Sequence, residues 1–128
     1  MKDTLIARIA SLVQARLNCE SANNSEWFDK HSDALRKIER YELPSGSGVD
    51  NGTTIDLDKS TIDKIVLNTS FHHMNDGGYY DGWTTHTITI TPAFQGINVK
   101  VSGRDRNDIK EYLGDLFYSA LTSPCATV

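Results

Sequence analysis

Three histidines, two aspartates and three aromatic side chains fall within fifteen residues, His72 to His86, with the sequence HHMNDGGYYDGWTTH. Two chemistries are open to such a set. Imidazoles joined by a carboxylate suit zinc or another divalent metal. Tyrosine and tryptophan on a glycine-rich turn suit recognition, because rigid aromatic side chains dominate binding hot spots. The alternation of a strand separates the histidines. His73 and His86 share the side of Phe71, Ile88 and Ile90, whereas His72 and Thr85 point the other way. In an antiparallel hairpin the inward pair is expected directly opposite or within one rung. Asp76 or Asp81 would add an oxygen, so the metal candidates are His73, His86 and Asp81. The plainer alternative is a pair of histidines hydrogen-bonded at the rim of a core. The contact candidates are Tyr79, Tyr80, Asp81 and Trp83; the plainer alternative for them is packing across the hairpin.

A second set lies in SGRDRNDIKEY, Ser102 to Tyr112. Arg104 and Arg106 stand at the start of a helix, where exposed N–H groups attract anions. Two guanidiniums there suit a phosphate, a nucleotide or a partner carboxylate. Asp105 and Asp108 offer the opposite outcome, internal ion pairs and a helix cap. Asp56 and Asp58 share an outward strand face, with Asp63 after the turn, and read as a solvated edge. His31 sits on an apolar helix face, and Arg36, Lys37 and Arg40 form a small basic strip. Signatures of chemistry are missing. There is no HExxH, no CxxC and no GxSxG, and the SGSG stretch lacks the GK[ST] of a phosphate-binding loop.

Several elements must position these residues. Leu5, Ile6, Ile9, Leu12, Val13 and Leu17 recur at helical steps, with Asp3 or Thr4 as cap. Trp27, Phe28, His31, Ala34, Leu35, Ile38 and Tyr41 repeat the pattern after an Asn23–Glu26 capping box. Residues 1–43 therefore read as an antiparallel helical hairpin, and 44–52 (PSGSGVDNG) as a flexible connector. Four alternating segments follow within 53–103: Thr53 to Leu57, Lys64 to Met74, Thr84 to Thr91 with Pro92 at its end, and Ile97 to Val101. Each has one apolar face, the mark of an antiparallel sheet covered on one side. Residues 104–122 form a last helix with Ile109, Leu113, Leu116, Phe117 and Leu121 as its buried stripe, and 123–128 a tail. The expected fold is α+β: a helical hairpin, a four-stranded antiparallel meander and a C-terminal helix on one face, all one domain.

Composition narrows the class. The chain has 128 residues, 38% of them hydrophobic, and a net charge of -4. An acidic balance argues against a general nucleic-acid coat, which needs a basic surface. Cys19 and Cys125 lie near opposite ends, in no metal-like spacing, and read as reduced thiols. The first nineteen residues carry charges inside their apolar run, and no stretch approaches a membrane span. A cytoplasmic protein with no membrane association is the expectation.

GTTIDLDKS (Gly52 to Ser60), NTSFHHMNDGGYYDGWTTHTITITP (Asn68 to Pro92) and SGRDRNDIKEYLGDLF (Ser102 to Phe117) resemble small proteins of unassigned function carried by bacteriophages, prophages and plasmids. The resemblance runs from about Gly52 to Leu121. It implies a genomic setting and carries no catalytic residue with it. From that setting comes the expectation of a non-enzymatic inhibitor or modulator of a host or defence protein, contacted through Tyr79, Tyr80, Asp81, Trp83, Arg104 and Arg106. It would need no cofactor. The alternatives are a metal-binding module or metal-dependent hydrolase holding zinc or another divalent metal at His73, His86 and Asp81, and a nucleotide or nucleic-acid binder at Arg104 and Arg106. A homo-oligomer is a further expectation, built on apolar surface left by the helical hairpin.

Overall fold

A computed structural model describes residues 4–18, 24–39, 43, 49, 53–74 and 77–123. The elements run α1 (Leu5–Leu17), α2 (Asn24–Lys37), β1 (Thr54–Ile55), β2 (Ile65–Met74), β3 (Tyr80–Ala93), β4 (Gly96–Ser102) and α3 (Asn107–Thr122). The strands form one antiparallel meander in the order β1-β2-β3-β4. This is the expected α+β arrangement. The 44–52 connector lies outside the described residues except for Val49, which bridges to Phe71. Asn23, Arg40, Tyr41, both cysteines and the 124–128 tail also lie outside them.

Apolar periodicity decides which faces meet. In α1, Leu5, Ile9 and Val13 are buried at four-residue steps, and the Thr4 hydroxyl accepts the Ala7 N–H at 3.2 Å to cap the first turn. In α3, Ile109, Leu113, Phe117 and Leu121 are buried at the same spacing. The helix packs on β4 and against α1. On the sheet, Leu67, Ile88 and Val101 form one row across three strands, and Ile65, Ile90 and Val99 the next. These rows and the two helical stripes share one core. Trp27, Leu35 and Ile38 of the α2 region are buried as well. The Glu39 side chain accepts the Ile55 N–H at 3.0 Å, joining the end of that region to β1.

Three boundaries differ from the sequence expectation. β1 is only Thr54–Ile55: the Asp56 N–H still donates to the Val66 carbonyl of β2 at 2.8 Å, but the Asp56 carboxylate accepts the Lys59 N–H and starts a turn. β3 runs from Tyr80 rather than Thr84 and continues through Pro92. Proline is tolerated there because the β2 pairing ends at Ile90, leaving that stretch bonded to β4 alone. α3 starts at Asn107, not Arg104, since Gly103 to Asp105 form a bent turn used for another purpose.

Candidate functional site

The β2–β3 hairpin carries two groups of side chains on its two faces. On the outer face, His72 pairs with Trp83, and the register then shifts before Met74 meets Tyr80. Such a bulge puts extra chain into one strand and re-aims its side chains. Gly82 sits at φ +100 beside it, a conformation that side-chain-bearing residues avoid. The His72 Nδ1 and the Tyr80 hydroxyl lie 2.9 Å apart, and their rings stand 5.6 Å apart at 37°. Tyr80 is thereby held in place while still 55% exposed. Met74 is 62%, Tyr79 74% and Trp83 64% exposed, so packing across the hairpin does not cover them. Asp81 is exposed among them.

On the inner face lies a polar cluster. The register puts Thr69, not His73, opposite His86, and Phe71 opposite Thr84. His73 and His86 are therefore two same-face rungs apart, further than the hairpin expectation of one rung. Thr84 closes the gap: its Oγ1 lies 2.9 Å from the Nε2 of each histidine. The carboxylate that joins them is Asp105, from the turn between β4 and α3. Its Oδ2 accepts the Thr84 hydroxyl at 2.7 Å and lies 3.1 Å from His73 Nε2 and 3.2 Å from His86 Nε2. Its Oδ1 accepts the Arg106 N–H at 2.8 Å. Asp81 takes no part, and Asp76 lies outside the described residues. Among the described residues, no group of three or more His, Cys, Asp or Glu side chains is arranged to hold a metal ion.

Burial orders the cluster. The His86 side chain is fully enclosed and that of Asp105 is 7% exposed, while His73 reaches solvent at 24%. Burial alone raises the Asp105 carboxyl. The Thr84 hydroxyl, the Arg106 N–H and the two imidazoles outweigh it and hold the group below the ordinary carboxylate value. A depressed carboxyl binds protons less readily in the folded chain than in the unfolded one. Its stabilising contribution is thus complete above the ordinary carboxylate value and is lost as pH falls through its lower folded value. Asp105→Asn is expected to flatten this part of the acid limb. Thermal midpoints followed from about pH 5 down to pH 2 would show it.

Gly103 makes the cluster sterically feasible. It has φ +129, and a Cβ placed there would lie 2.7 Å from both His86 Nδ1 and the Thr85 carbonyl. Gly103→Ala is expected to cost about 2 kcal/mol through backbone strain and this clash. A urea titration would read the loss as a lower midpoint with an unchanged slope.

The remaining candidates separate. Arg104 is exposed on the turn before α3. Arg106 is the N-cap residue of α3, and its Nε lies 3.3 Å from Asp108 Oδ1, an exposed pair of small energetic weight. Asp105 caps nothing with its second oxygen; that atom belongs to the histidines. Asp56 accepts the Asn68 amide at 3.2 Å besides the Lys59 N–H, so it organises a turn. His31 lies against the Trp27 ring at 4.8 Å. Sequence reasoning missed Thr84 and Asp105 as partners of the histidines. Thr84 had a signal, its inward parity with His86. Asp105 had none, because its neighbours in sequence are arginines.

Among the described residues, no helix is long and apolar enough to cross a membrane. A scan against protein-family models, a search of curated proteins and a search of solved structures each found no match to the chain.

Proposed function

We propose that this is a non-enzymatic binding protein that contacts its partner through the tip of the β2–β3 hairpin. One observation carries the reading: Met74, Tyr79, Tyr80 and Trp83 are four large apolar side chains, each more than half exposed, within ten residues on a sheet-anchored tip. Exposed aromatic side chains on a well-supported loop are the usual anchors of protein interfaces. Asp81 and the exposed Arg104 would add charge selectivity at the rim. The resemblance to proteins of bacteriophages and plasmids supports a host or defence protein as the partner and the host cytoplasm as the place of action. Under this reading the partner is inhibited or modulated by occlusion, which requires no cofactor.

The experiment is capture of partners from a host lysate by the wild-type chain and by the Tyr80→Ala/Trp83→Ala double variant, read by mass spectrometry. A protein retained by the wild type and absent from the folded double variant is the expected result. Equal retention by both sinks the proposal.

A further inference from the structure

The two edges of the sheet are unlike. β1 closes one side with two residues, which leaves little backbone for another strand to pair with. β4 closes the other with seven, Gly96–Ser102, and its pairing with β3 runs unbroken from Ala93 with Gly96 to Thr87 with Ser102. It holds neither proline nor bulge, two common devices that stop an edge from pairing again. Among the described residues, no strand pairs with its far side. Alternate N–H and C=O groups of such an edge point away from the sheet. The side chains repeat the picture. α3 comes close to β4 at Gly114, where a Cβ would lie 3.7 Å from Val101 Cγ2, yet Ile97, Val99 and Val101 stay half-buried. Asn98 and Lys100, on the opposite face, are exposed. At the turn that enters β4, Phe94 is 94% exposed.

We propose that the β4 edge is the contact surface for a second copy of this chain, which pairs with it antiparallel about a two-fold axis through Val99 and extends the four-stranded sheet to eight strands. A two-fold contact is self-complementary: where residue i meets j, j meets i. β4 meets that demand. Only an axis through Val99 pairs all seven of its residues. Val99 then faces Val99, and Ile97 faces Val101, so the apolar rows beneath the helices continue across the axis. On the other face Asn98 meets Lys100 of the second copy, and no like charges meet. An axis through Lys100 would set two ammonium groups against each other, and one through Asn98 would leave Val101 and Ser102 without strand partners. Carried past the strand ends, the same register brings the bare Phe94 ring towards the exposed Arg104 of the second copy, a cation for an aromatic face. Size agrees as well. Seven strand residues extend about 24 Å, and the sixteen of α3 run about as far. Strand and helix layers about 20 Å deep give a face on the order of 500 Å² per copy, or about 1,000 Å² in all, where specific interfaces begin. The two hairpin tips fall at opposite ends of the joined sheet, so partner capture through Tyr80 and Trp83 does not depend on this contact.

Sedimentation velocity of the full chain over a dilution series tests this. The wild type is expected to sediment at twice the 14.2 kDa of one chain and to dissociate on dilution. Asn98→Lys sets a cation against Lys100 twice in each dimer and is expected to weaken it about tenfold at low salt. Asn98→Glu sets an anion there and is expected to tighten it. Adding Lys100→Glu to Asn98→Lys makes both pairs opposite in charge and is expected to restore the dimer. Both positions are exposed, so the variants keep their fold, which circular dichroism checks. Tyr80→Ala/Trp83→Ala is expected to dimerise like the wild type. A wild type that is monomeric at every concentration overturns the inference, including the case in which a captured partner's strand is found on β4. A dimer indifferent to the charge at position 98, or one lost in the tip variant, overturns it too, because the contact then lies elsewhere.

Discussion

Asp105→Ala is expected to destabilise the protein by about 3 kcal/mol, a large share of the 5–15 kcal/mol available to a domain of this size. The cost comes from what the substitution leaves behind. Asp105 Oδ2 is within hydrogen-bonding distance of the Thr84 hydroxyl and of the Nε2 atoms of His73 and His86. Without the carboxylate, those groups keep their burial and lose their shared acceptor. The Arg106 N–H at the start of α3 loses its partner too. Asp105 lies close beneath the surface, which keeps the expected loss at the low end for a broken buried pair. Asp105→Asn, which retains an oxygen and the shape, should recover part of it. Urea titrations of the three proteins check the order wild type, asparagine, alanine.

The second large effect concerns binding rather than stability. Tyr80→Ala/Trp83→Ala is expected to weaken the complex at least about a hundredfold, or roughly 3 kcal/mol, while the thermal midpoint hardly moves. The separation rests on exposure. Trp83 and Tyr80 are 64% and 55% exposed, so their removal takes little buried area from the fold. Among the described residues, Tyr80 hydrogen-bonds to His72 and packs its ring against it, contacts of modest net worth at the surface. Each aromatic side chain, once covered by a partner, is worth far more than that. Tyr80→Phe separates the two roles further, since it keeps the ring and removes the hydroxyl that positions it.

The fold was largely legible in the pattern of side chains. Period-two alternation in NTSFHH and TTHTITI fixed which residues face the core, and the register agrees with that parity up to the bulge. Helical spacing found α1 and α3 with their buried stripes. The start of β3 was misplaced because a glycine was read as loop. Gly82 sits inside β3 because its left-handed backbone serves a bulge within the strand. The site was half legible. Exposed aromatics on the tip and inward His73 and His86 both followed from composition and parity. Their carboxylate did not, because proximity in sequence pointed to Asp81, while the chain returns Asp105 to His86 through the β3–β4 pairing of Thr87 with Ser102. Gly103 explains how that return fits. A glycine between strand and helix reads as a boundary from sequence, although here it is also the space that His86 occupies.

The chain contains two tryptophans of opposite exposure, Trp27 at 5% and Trp83 at 64%. Collisional quenching of their fluorescence by iodide therefore reports on the hairpin tip almost alone. Measured on the free protein and on the purified complex with its captured partner, it tests directly whether the tip is the contact surface. A contact at the tip gives a quenchable tryptophan in the free protein that becomes protected in the complex. A tryptophan equally quenchable in both would contradict it.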